Sequence, residues 1–393
     1  MSNHTKSQQL TKVICDRLAE SSHQRLTFAK YMDLVLYHPQ YGYYTSQKAP
    51  IGVSGDFFTS SSLGKDFGEL LAIQSAEIWD IMGKPQPFTI IEMGAGTGAM
   101  AVDILQYLEE HYFDLFAVTN YTIIEQSNSL RERQQQELKS RLTNLPNLSW
   151  KFWDEIDNDT IIGCLFSNEL IDALPVHLVT VSDNKLQEIY VTFSEGKFTE
   201  TVGEISTDEI TEYFELIDID FPSLMYPEGY RTEVNLSALN WLKTVATKLK
   251  RGYLLTIDYG YPAAKYYHPQ RYQGTLQCYY QHRRHHNPYI NLGVQDITAH
   301  VNFTALDRSG EKLGLETLGF TQQGIFLMAL GLGDRLSDLS NGKYNFQQIL
   351  QRRDALHQLI DPSGLGGFGV LVQTKGLSDQ EKMRSITGLA RKV

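Results

Sequence analysis

The chain has 393 residues, a formal net charge of −11, 42% hydrophobic residues and 21% charged residues. These proportions are ordinary for a globular protein, and the length accommodates one large domain with insertions or two domains. The acidic balance argues against a general nucleic-acid binder, which normally has a basic surface, although it leaves room for a local basic site. Because no apolar run reaches about 18 residues, no membrane span is expected.

The three cysteines, Cys15, Cys164 and Cys278, are odd in number and widely spaced. This pattern indicates neither a disulfide framework nor a zinc site, and it fits a reducing compartment. The N-terminus has no apolar stretch of the signal-peptide kind, and the early acids Asp16 and Glu20 are unlike a transit peptide. We therefore predict a cytoplasmic protein without a metal site, in which Cys164 is a core residue of an apolar strand.

Hydrophobic periodicity predicts alternating helices and strands along the chain. The predicted helices are Leu10–Leu18, Phe28–Leu36, Gly68–Ile81, Ala99–Tyr107, Thr207–Leu216, Ser237–Leu249 and Thr304–Leu318, with further helices up to about His357. The predicted strands are Thr89–Glu92, Tyr121–Glu125, Leu148–Phe152, Ile161–Ser167, Gly252–Ile257, Gln322–Met328 and Gly369–Thr374. Parallel strands joined by helices form a doubly wound α/β sheet, and the last two strands suit an antiparallel edge.

Two segments interrupt this alternation. Residues 176–235 begin with two runs that alternate like a hairpin, with Asp183 and Asn184 in the turn. Residues 258–303 are rich in tyrosine and histidine. We predict a helical N-terminal extension over residues 1–82, followed by one α/β domain over residues 83–393 that carries both insertions.

The most informative motif is the sequence IIEMGAGTG, which begins at Ile90. An apolar strand ends in an acid, three glycines alternate with two small residues, and a helix-forming run follows. This order predicts a strand, a tight turn and a helix N-terminus that hold an adenosine cofactor, either NAD or S-adenosyl-L-methionine. The turn residues predicted to contact the cofactor are Gly94, Ala95, Gly96, Thr97 and Gly98.

Two details, Glu92 and Gly98, favour S-adenosyl-L-methionine over NAD. Glu92 lies just before the first glycine, where a carboxylate can face the cationic methionine end but would oppose a pyrophosphate. Together with Gly98 it completes the Glu-x-Gly-x-Gly-x-Gly form typical of class I methyltransferases. Glu125 ends the next strand, where an acid accepts hydrogen bonds from both ribose hydroxyls of either cofactor.

The chain also resembles one family of class I methyltransferases, which contains the mitochondrial complex I assembly methyltransferase and its bacterial relatives. The motifs that carry this resemblance are Tyr37-His38-Pro39-x-x-Gly42-Tyr43-Tyr44, Gly55-Asp56-Phe57-x-Thr59-Ser60, Phe67-Gly68-Glu69, Ser167-Asn168-Glu169-Leu170-x-Asp172-Ala173-Leu174-Pro175 and Asp296-Ile297-Thr298-Ala299-His300-Val301. They occur in order from about Leu26 to the end of the chain. Asn302 and Gln277 depart from the pattern, because the family favours Asp and Arg there.

The resemblance implies a class I, Rossmann-like methyltransferase fold with a mostly parallel sheet and an antiparallel edge. It also implies a protein arginine methyltransferase that acts on a subunit of a complex I-like dehydrogenase. Arginine is a demanding nucleophile because its guanidinium is protonated and its charge is delocalised. Carboxylates that bind two of its nitrogens leave the third aimed at the methyl group.

Glu169 and Asp172 are our candidates for this guanidinium clamp, and Asn168 would orient substrate or cofactor. All three follow the strand Ile161–Ser167, at the edge of the sheet where α/β folds place their sites. The alternative is that Asn168 caps a helix while the two acids face solvent in its first turn.

Other candidates are less specific. His300 is either a general base or a structural hydrogen-bonding residue, and Asp296 orients it only if the segment is helical. Asp258 ends a strand and either lines the substrate pocket or caps a turn. Asp56 and Thr59 either contact the cofactor or form a structural turn.

The basic segment Cys278–His286 is either a contact surface for an acidic partner or a solvated loop, and its histidines lack metal-site spacing.

The predicted function is therefore S-adenosyl-L-methionine-dependent methylation of a protein substrate, without nucleic acid as partner. Two alternatives remain at this point. One is an assembly chaperone that binds the cofactor without needing catalysis, and the other is a small-molecule methyltransferase. The target residue, the degree of methylation and the oligomeric state do not follow from the sequence.

Overall fold

The computed structural model of the chain describes residues 3–45, 60, 63–144, 147–339, 341–342 and 345–389. The predicted cofactor contacts Asp56 and Thr59 lie outside these residues, so those two predictions stay open. No helix among the described residues is long and apolar enough to cross a membrane.

Most predicted helices form, with ends shifted by a few residues. The α-helices within the described ranges are α1 (Asn3–Glu20), α2 (Phe28–Tyr37), α3 (Asp66–Ile81), α4 (Ala99–His111), α5 (Phe113–Val118), α6 (Asn128–Arg141), α7 (Glu209–Leu216), α8 (Leu236–Lys248), α9 (Ala263–Tyr266), α10 (Phe303–Lys312), α11 (Gln323–Ala329), α12 (Leu332–Asp338), α13 (Phe346–Ile360) and α14 (Asp379–Lys382).

The strands in the same part of the chain are β1 (Leu26–Thr27), β2 (Phe88–Met93), β3 (Thr119–Ile124), β4 (Asn147–Lys151), β5 (Ile161–Asn168), β6 (His177–Ser182), β7 (Lys185–Ser194), β8 (Lys197–Gly203), β9 (Arg231–Val234), β10 (Leu249–Asp258), β11 (Gly260–Tyr261), β12 (Gln277–Tyr280), β13 (Arg283–His285), β14 (Asp296–Thr298), β15 (Val301–Asn302), β16 (Glu316–Gln322) and β17 (Gly369–Lys375).

The chain divides into two compact units, and each is made of separated segments. The first unit comprises the described parts of residues 1–57 together with Ile171–Leu242 and Gly260–Ser309. The second unit comprises the described parts of residues 58–170 and 310–393 together with Lys243–Tyr259. The predicted division at residues 82 and 83 is a different partition, and it stays a prediction.

The second unit contains a seven-stranded sheet in the order β16-β17-β10-β5-β2-β3-β4. The five strands from β10 to β4 are parallel, whereas β17 runs antiparallel between β10 and β16. Helices connect β2 to β3 and β3 to β4, because a parallel crossover needs a long connection. The α/β fold with a mostly parallel sheet and an antiparallel edge is therefore confirmed.

The central strands of this sheet are buried on both faces. Ile90 and Leu165 are fully buried, and Cys164 is 1% exposed, which confirms it as a core residue. Continuous apolar runs of this kind are typical of parallel strands covered by helices on both sides. Because β2, β3 and β5 run in one direction, the residues that follow them lie at the same edge of the sheet.

Two predicted elements near the C-terminal end were wrong. Residues 316–322 form β16, and the apolar run assigned to the strand Gln322–Met328 forms helix α11. A short apolar run does not distinguish a strand from a buried helix by periodicity alone. The helix predicted over Thr304–Leu318 ends at Lys312. Gly314 follows with a φ of +80°, a conformation that favours glycine and ends helices.

The first unit contains antiparallel and short sheets around two apolar clusters. The predicted hairpin is confirmed, because β6 pairs antiparallel with β7. Asp183 and Asn184 form its turn with φ values of +53° and +55°, which short polar side chains tolerate better than most. The acidic helix α7 also forms as predicted and buries Tyr213 and Phe214.

Candidate active site

The glycine-rich turn after β2 adopts a backbone that only glycine enters without cost. Gly94, Gly96 and Gly98 have φ values of +72°, +53° and +84°. A Cβ on Gly94 would lie 2.8 Å from Cδ1 of Leu170, and a Cβ on Gly98 would lie 2.8 Å from Cδ1 of Leu138. The turn is therefore fixed by both conformation and packing, and it leads directly into α4.

Glu92 is fully buried at the end of β2. Its Oε2 accepts a hydrogen bond of 2.7 Å from the hydroxyl of Tyr121 on β3. Within the described residues its Oε1 is buried and has no hydrogen-bond partner. Burial, followed by repulsion from Asp103 and Glu125, raises the pKa of Glu92 to about 7 against the lowering effect of the Tyr121 hydrogen bond. A cation beside this carboxylate would lower that pKa and supply the missing partner.

Glu125 follows β3 directly and is 8% exposed. Its Oε1 accepts a hydrogen bond of 2.9 Å from the backbone N–H of Ser127. Its Oε2 accepts one of 3.0 Å from Nε2 of Gln134, a fully buried residue on α6. Burial raises the pKa of Glu125, and these hydrogen bonds oppose that effect. The carboxylate is thus held in one orientation at the edge of the sheet.

Gln134 is a site residue that the sequence analysis missed. Its Nε2 also donates to the carbonyl oxygen of Gly96 at 3.0 Å, and its Oε1 accepts from Nε1 of Trp150 at 2.9 Å. One amide therefore joins the glycine-rich turn, the acid after β3 and strand β4. Leu130, Gln134 and Leu138 are the buried residues of α6, and their spacing of four was the available signal.

Asn168 ends β5, which lies next to β2 in the sheet, and Glu169 follows it directly. Glu169 has a φ of +53°, which is uncommon for a residue with a side chain and is enriched at functional sites. Its Oε1 accepts hydrogen bonds from the backbone N–H of Ser60 at 2.8 Å and from Nδ2 of Asn168 at 3.2 Å. Oδ1 of Asn168 is buried and has no partner in the part of the chain that the structure describes.

Asp258 ends β10 and is fully buried. Its Oδ1 accepts a hydrogen bond of 2.8 Å from the backbone N–H of Tyr259, as a turn-capping acid does. The structure therefore gives it the local contact expected of the capping role, and its part in a substrate pocket stays a prediction.

Asp172 belongs to the first unit. It is 6% exposed in a short 3-10 turn, and its backbone oxygen accepts a hydrogen bond of 2.9 Å from the N–H of Ala299. Its charge helps to raise the pKa values of Tyr44 and Tyr279, both of which are raised chiefly by burial. Asp172 thus lies among tyrosine side chains, and the guanidinium clamp that pairs it with Glu169 stays a prediction.

His300 is largely enclosed in the first unit, where its ring stacks on Tyr261 with a centroid distance of 5.1 Å. Burial, followed by the charges of Arg271 and Arg284, lowers its pKa to about 4. The ring is therefore neutral near pH 7 and is a weak base, and its catalytic role stays a prediction. Asp296 was expected to orient His300 only if the segment were helical, but residues 296–298 form the strand β14. Asp296 instead accepts a hydrogen bond of 2.8 Å from the Tyr44 hydroxyl.

The two departures from the family pattern have local roles in the first unit. Asn302 precedes α10, where its Oδ1 accepts from the N–H of Ala305 at 3.3 Å and its Nδ2 donates to the Tyr213 hydroxyl at 3.1 Å. Gln277 lies on β12 and accepts a hydrogen bond of 2.6 Å from the hydroxyl of Tyr279.

The residues at the edge of the second unit's sheet fit S-adenosyl-L-methionine. Oε1 of Glu92 and Oδ1 of Asn168 are buried acceptors without partners in the described residues, and they suit the cationic methionine end. The Glu125 carboxylate, held by Gln134, suits the two ribose hydroxyls, and the glycine-rich turn leaves room for a close approach of the backbone. Together, the fold and this set of residues define an S-adenosyl-L-methionine-dependent methyltransferase.

The comparisons with known proteins agree with this class. A family profile described as S-adenosyl-L-methionine-dependent methyltransferase matches residues 70–321, and the chain belongs to that family. A protein from Burkholderia thailandensis, crystallised with S-adenosyl-homocysteine, superposes with a TM-score of 0.86 at 30% identity, over 99% of this chain and 96% of that one.

Two curated relatives are similar over most of their length. The protein arginine methyltransferase NDUFAF7 homolog of Drosophila melanogaster is 28% identical over 86% of this chain and 78% of the relative. The mitochondrial protein arginine methyltransferase NDUFAF7 of Homo sapiens is 26% identical over 87% of this chain and 78% of the relative. The enzyme class and the cofactor predicted from the sequence are thereby confirmed.

Proposed function

We propose that this methyltransferase transfers methyl groups to an arginine of a protein substrate, which is a subunit of a complex I-like dehydrogenase. The observation that carries the arginine assignment is Glu169, a carboxylate at the carboxyl end of β5 on a backbone with a φ of +53°. Relatives named as protein arginine methyltransferases support the same acceptor. The dehydrogenase subunit rests on the family resemblance alone.

The chemistry explains why a fixed carboxylate is needed. When bound, the cofactor supplies a sulfonium methyl group, whose S–C bond breaks as the new N–C bond forms, leaving S-adenosyl-homocysteine. The guanidinium nitrogen gives up a proton to solvent or to a base, so the charge balances. Glu169 would bind the guanidinium through charge-assisted hydrogen bonds and aim one nitrogen at the methyl carbon. Such positioning contributes on the order of 7–11 kcal/mol to catalysis.

Each remaining residue has a separate role in this proposal. Oδ1 of Asn168 accepts a hydrogen bond from substrate or cofactor, because that atom is buried without a partner among the described residues. Asp172 is proposed as a second acid for the guanidinium, and substitution of Asp172 alone tests it independently of Glu169. A cytoplasmic location is also part of the proposal, and cell fractionation with immunoblotting tests it.

The test is methyl transfer from tritiated S-adenosyl-L-methionine into a lysate of cells that lack this protein. Labelled bands are resolved on a gel, hydrolysed and analysed for methylated amino acids. We expect label in one protein band, recovered as methylarginine. Glu169→Gln should reduce this label about 100-fold, because it removes a charge while keeping an acceptor oxygen for the N–H of Ser60.

Other results would redirect the proposal. Absence of protein label with intact binding of S-adenosyl-homocysteine would favour the assembly chaperone. Label in small metabolites alone would favour the small-molecule enzyme. Label on a residue other than arginine would contradict the proposed acceptor while leaving methyl transfer to protein in place.

A further inference from the structure

The first unit carries a cluster of cations around one aromatic ring, which we call the Tyr261 cluster. Nζ of Lys265 lies 4.1 Å from the centroid of the Tyr261 ring, and Cζ of Arg271 lies 4.7 Å from it. The ring of His300 stacks on the same tyrosine. Lys265 is on α9 and Arg271 is in the loop that follows, so two separate segments place their charges against one ring.

Arg284 adds a third charge from another element. It lies on β13, where it pairs with Tyr279 across the hairpin. The pKa of His300 is lowered chiefly by burial, and the charges of Arg271, Arg284 and Lys265 lower it further. The strand β12 that carries Tyr279 also pairs Gln277 with Thr298, two residues before His300, so this sheet brings Arg284 to the part of the unit that holds the imidazole.

These cations lack the acidic partners that other basic residues of the chain have. Arg335 pairs with Asp66 and Glu69, and Arg231 pairs with Glu200 at 2.9 Å. By contrast, no carboxylate of the described residues lies within 4.0 Å of Lys265, Arg271 or Arg284. Nε of Arg271 is also buried and has no acceptor among those residues. A buried guanidinium donor without an acceptor is rare in a folded protein, so Nε of Arg271 indicates a site where a ligand supplies the acceptor.

The buried acid Glu233 holds the C-terminal end of the loop that carries Arg271. Oε1 of Glu233 accepts hydrogen bonds from the N–H groups of Thr275 and Leu276, at 3.0 and 3.1 Å. Its Oε2 accepts from the Thr275 hydroxyl at 2.9 Å and from the Tyr266 hydroxyl at 3.2 Å. The Thr275 hydroxyl in turn accepts from the backbone N–H of His300 at 3.1 Å. Both oxygens of this acid thus hold residues 275 and 276, which follow the loop that carries Arg271.

We propose that the Tyr261 cluster, through Lys265, Arg271 and Arg284, binds an acidic segment of the protein substrate. This inference rests on the proposed function, because it supposes a protein substrate. Arginine forks match carboxylates, and a guanidinium above an aromatic ring keeps its N–H donors for them. A nucleic acid fits less well, because general nucleic-acid binders carry an extended basic surface and this chain is acidic overall, with a net charge of −11.

The test uses the full chain saturated with S-adenosyl-homocysteine and a fluorescein-labelled oligoglutamate peptide, with binding followed by anisotropy. Arg284→Glu is the main variant, because Arg284 is exposed and its substitution does not disturb the core. Arg353→Glu is the matched control, since Arg353 is exposed on α13 of the second unit and makes only a 3.8 Å contact with Asp354. A labelled oligothymidylate and an oligolysine peptide serve as the other probes.

We expect oligoglutamate to bind the wild type, and Arg284→Glu to weaken that binding about tenfold while Arg353→Glu changes it less than about twofold. Equal losses in the two variants would overturn the proposal, as would absence of oligoglutamate binding or tighter binding of oligothymidylate. The assay needs no methyl transfer. Binding of oligoglutamate without arginine methylation would therefore remove the proposed function, whereas methylation without such binding would remove only this docking site.

Discussion

The sheet edge of the second unit and the Tyr261 cluster of the first unit differ in the sign and the burial of their charges. At the sheet edge the acids Glu92 and Glu125 are buried, and burial raises the pKa values of both. In the Tyr261 cluster Lys265 and Arg284 are exposed cations, with Lys265 over the Tyr261 ring and Arg284 on the hairpin of β12 and β13. Buried acids select a small cationic ligand by desolvation and geometry, whereas exposed cations attract an acidic partner over a longer distance.

The largest effect is expected from the turn at the sheet edge. Gly94→Val strains the backbone at a φ of +72° and places a Cβ 2.8 Å from Cδ1 of Leu170, so the turn or the Leu170 side chain must shift. Displacement of this kind should reduce methyl transfer about 100-fold. Gly196→Val is the control, because Gly196 has a φ of +78° but no atom of the described residues lies within 4 Å of its Cβ position. Equal losses in both variants would show that backbone strain, and not the cofactor turn, is responsible.

The next effect concerns the ribose acid. Glu125→Ala removes a charged acceptor worth about 2 kcal/mol, which corresponds to roughly a 30-fold rise in the Kd for S-adenosyl-homocysteine. Calorimetric titration of the wild type and Glu125→Ala with S-adenosyl-homocysteine measures this change in Kd. Glu132→Ala, an exposed acid on α6, should leave that Kd unchanged. A Glu125→Ala protein with wild-type affinity would exclude this acid from the cofactor site.

The pH dependence of cofactor binding tests Glu92. Because its pKa is about 7, the carboxylate becomes charged as the pH rises from about 6 to about 8. Affinity for the cationic cofactor should increase about tenfold over that range in the wild type and stay flat in Glu92→Gln. A wild-type profile that is also flat would contradict the proposed contact.

The same raised pKa predicts the pH dependence of stability. Between pH 4.5, the ordinary value, and about pH 7, the folded state holds a proton that the unfolded state has lost. Stability without ligand should therefore fall over this window by about 3 kcal/mol and then level off. Urea unfolding of the wild type and Glu92→Gln measures the difference between the two profiles, and parallel profiles would contradict it.

Gln134 should act through its neighbours. Gln134→Leu leaves the Glu125 carboxylate, the Gly96 oxygen and the Trp150 N–H without their partner amide. We expect the Kd for S-adenosyl-homocysteine to rise about fivefold and the unfolding free energy to fall by about 1–3 kcal/mol. Gln136→Leu on the exposed face of α6 is the matched control. Unchanged affinity in Gln134→Leu would leave this amide a purely structural role.

The smallest effect separates the two regions by their response to salt. Raising NaCl toward about 0.15 M, where the Debye length is about 8 Å, screens exposed charges far more than buried ones. Oligoglutamate binding at the Tyr261 cluster should weaken severalfold, whereas binding of S-adenosyl-homocysteine should change less than about twofold. A cofactor affinity that is equally sensitive to salt would contradict the burial assigned to its acids.

The residues of the predicted cofactor site could be named from the sequence because they are local to strand ends. Glu92 and Glu125 each follow an apolar run, and parallel strands bring such residues to one edge. Gln134 was not recognised because it lies in a run of three glutamines, where only its spacing from Leu130 and Leu138 marks the buried one.

The features that the sequence did not predict depend on tertiary contacts between separate segments. Arg271 reaches the Tyr261 ring beside Lys265 only because the loop after α9 folds back onto that ring, and no local pattern encodes that. The apolar run in α11 was assigned to a strand for a related reason, since burial on several sides hides the period that separates helix from strand.

The most direct test of the central claim is a crystal structure of this chain with S-adenosyl-homocysteine bound. We predict that the Glu125 carboxylate accepts hydrogen bonds from both ribose hydroxyls and that the methionine ammonium lies against Glu92 or Asn168. A ligand whose ribose lies away from Glu125, or whose ammonium contacts neither of these residues, would contradict the cofactor site assigned to the edge of this sheet.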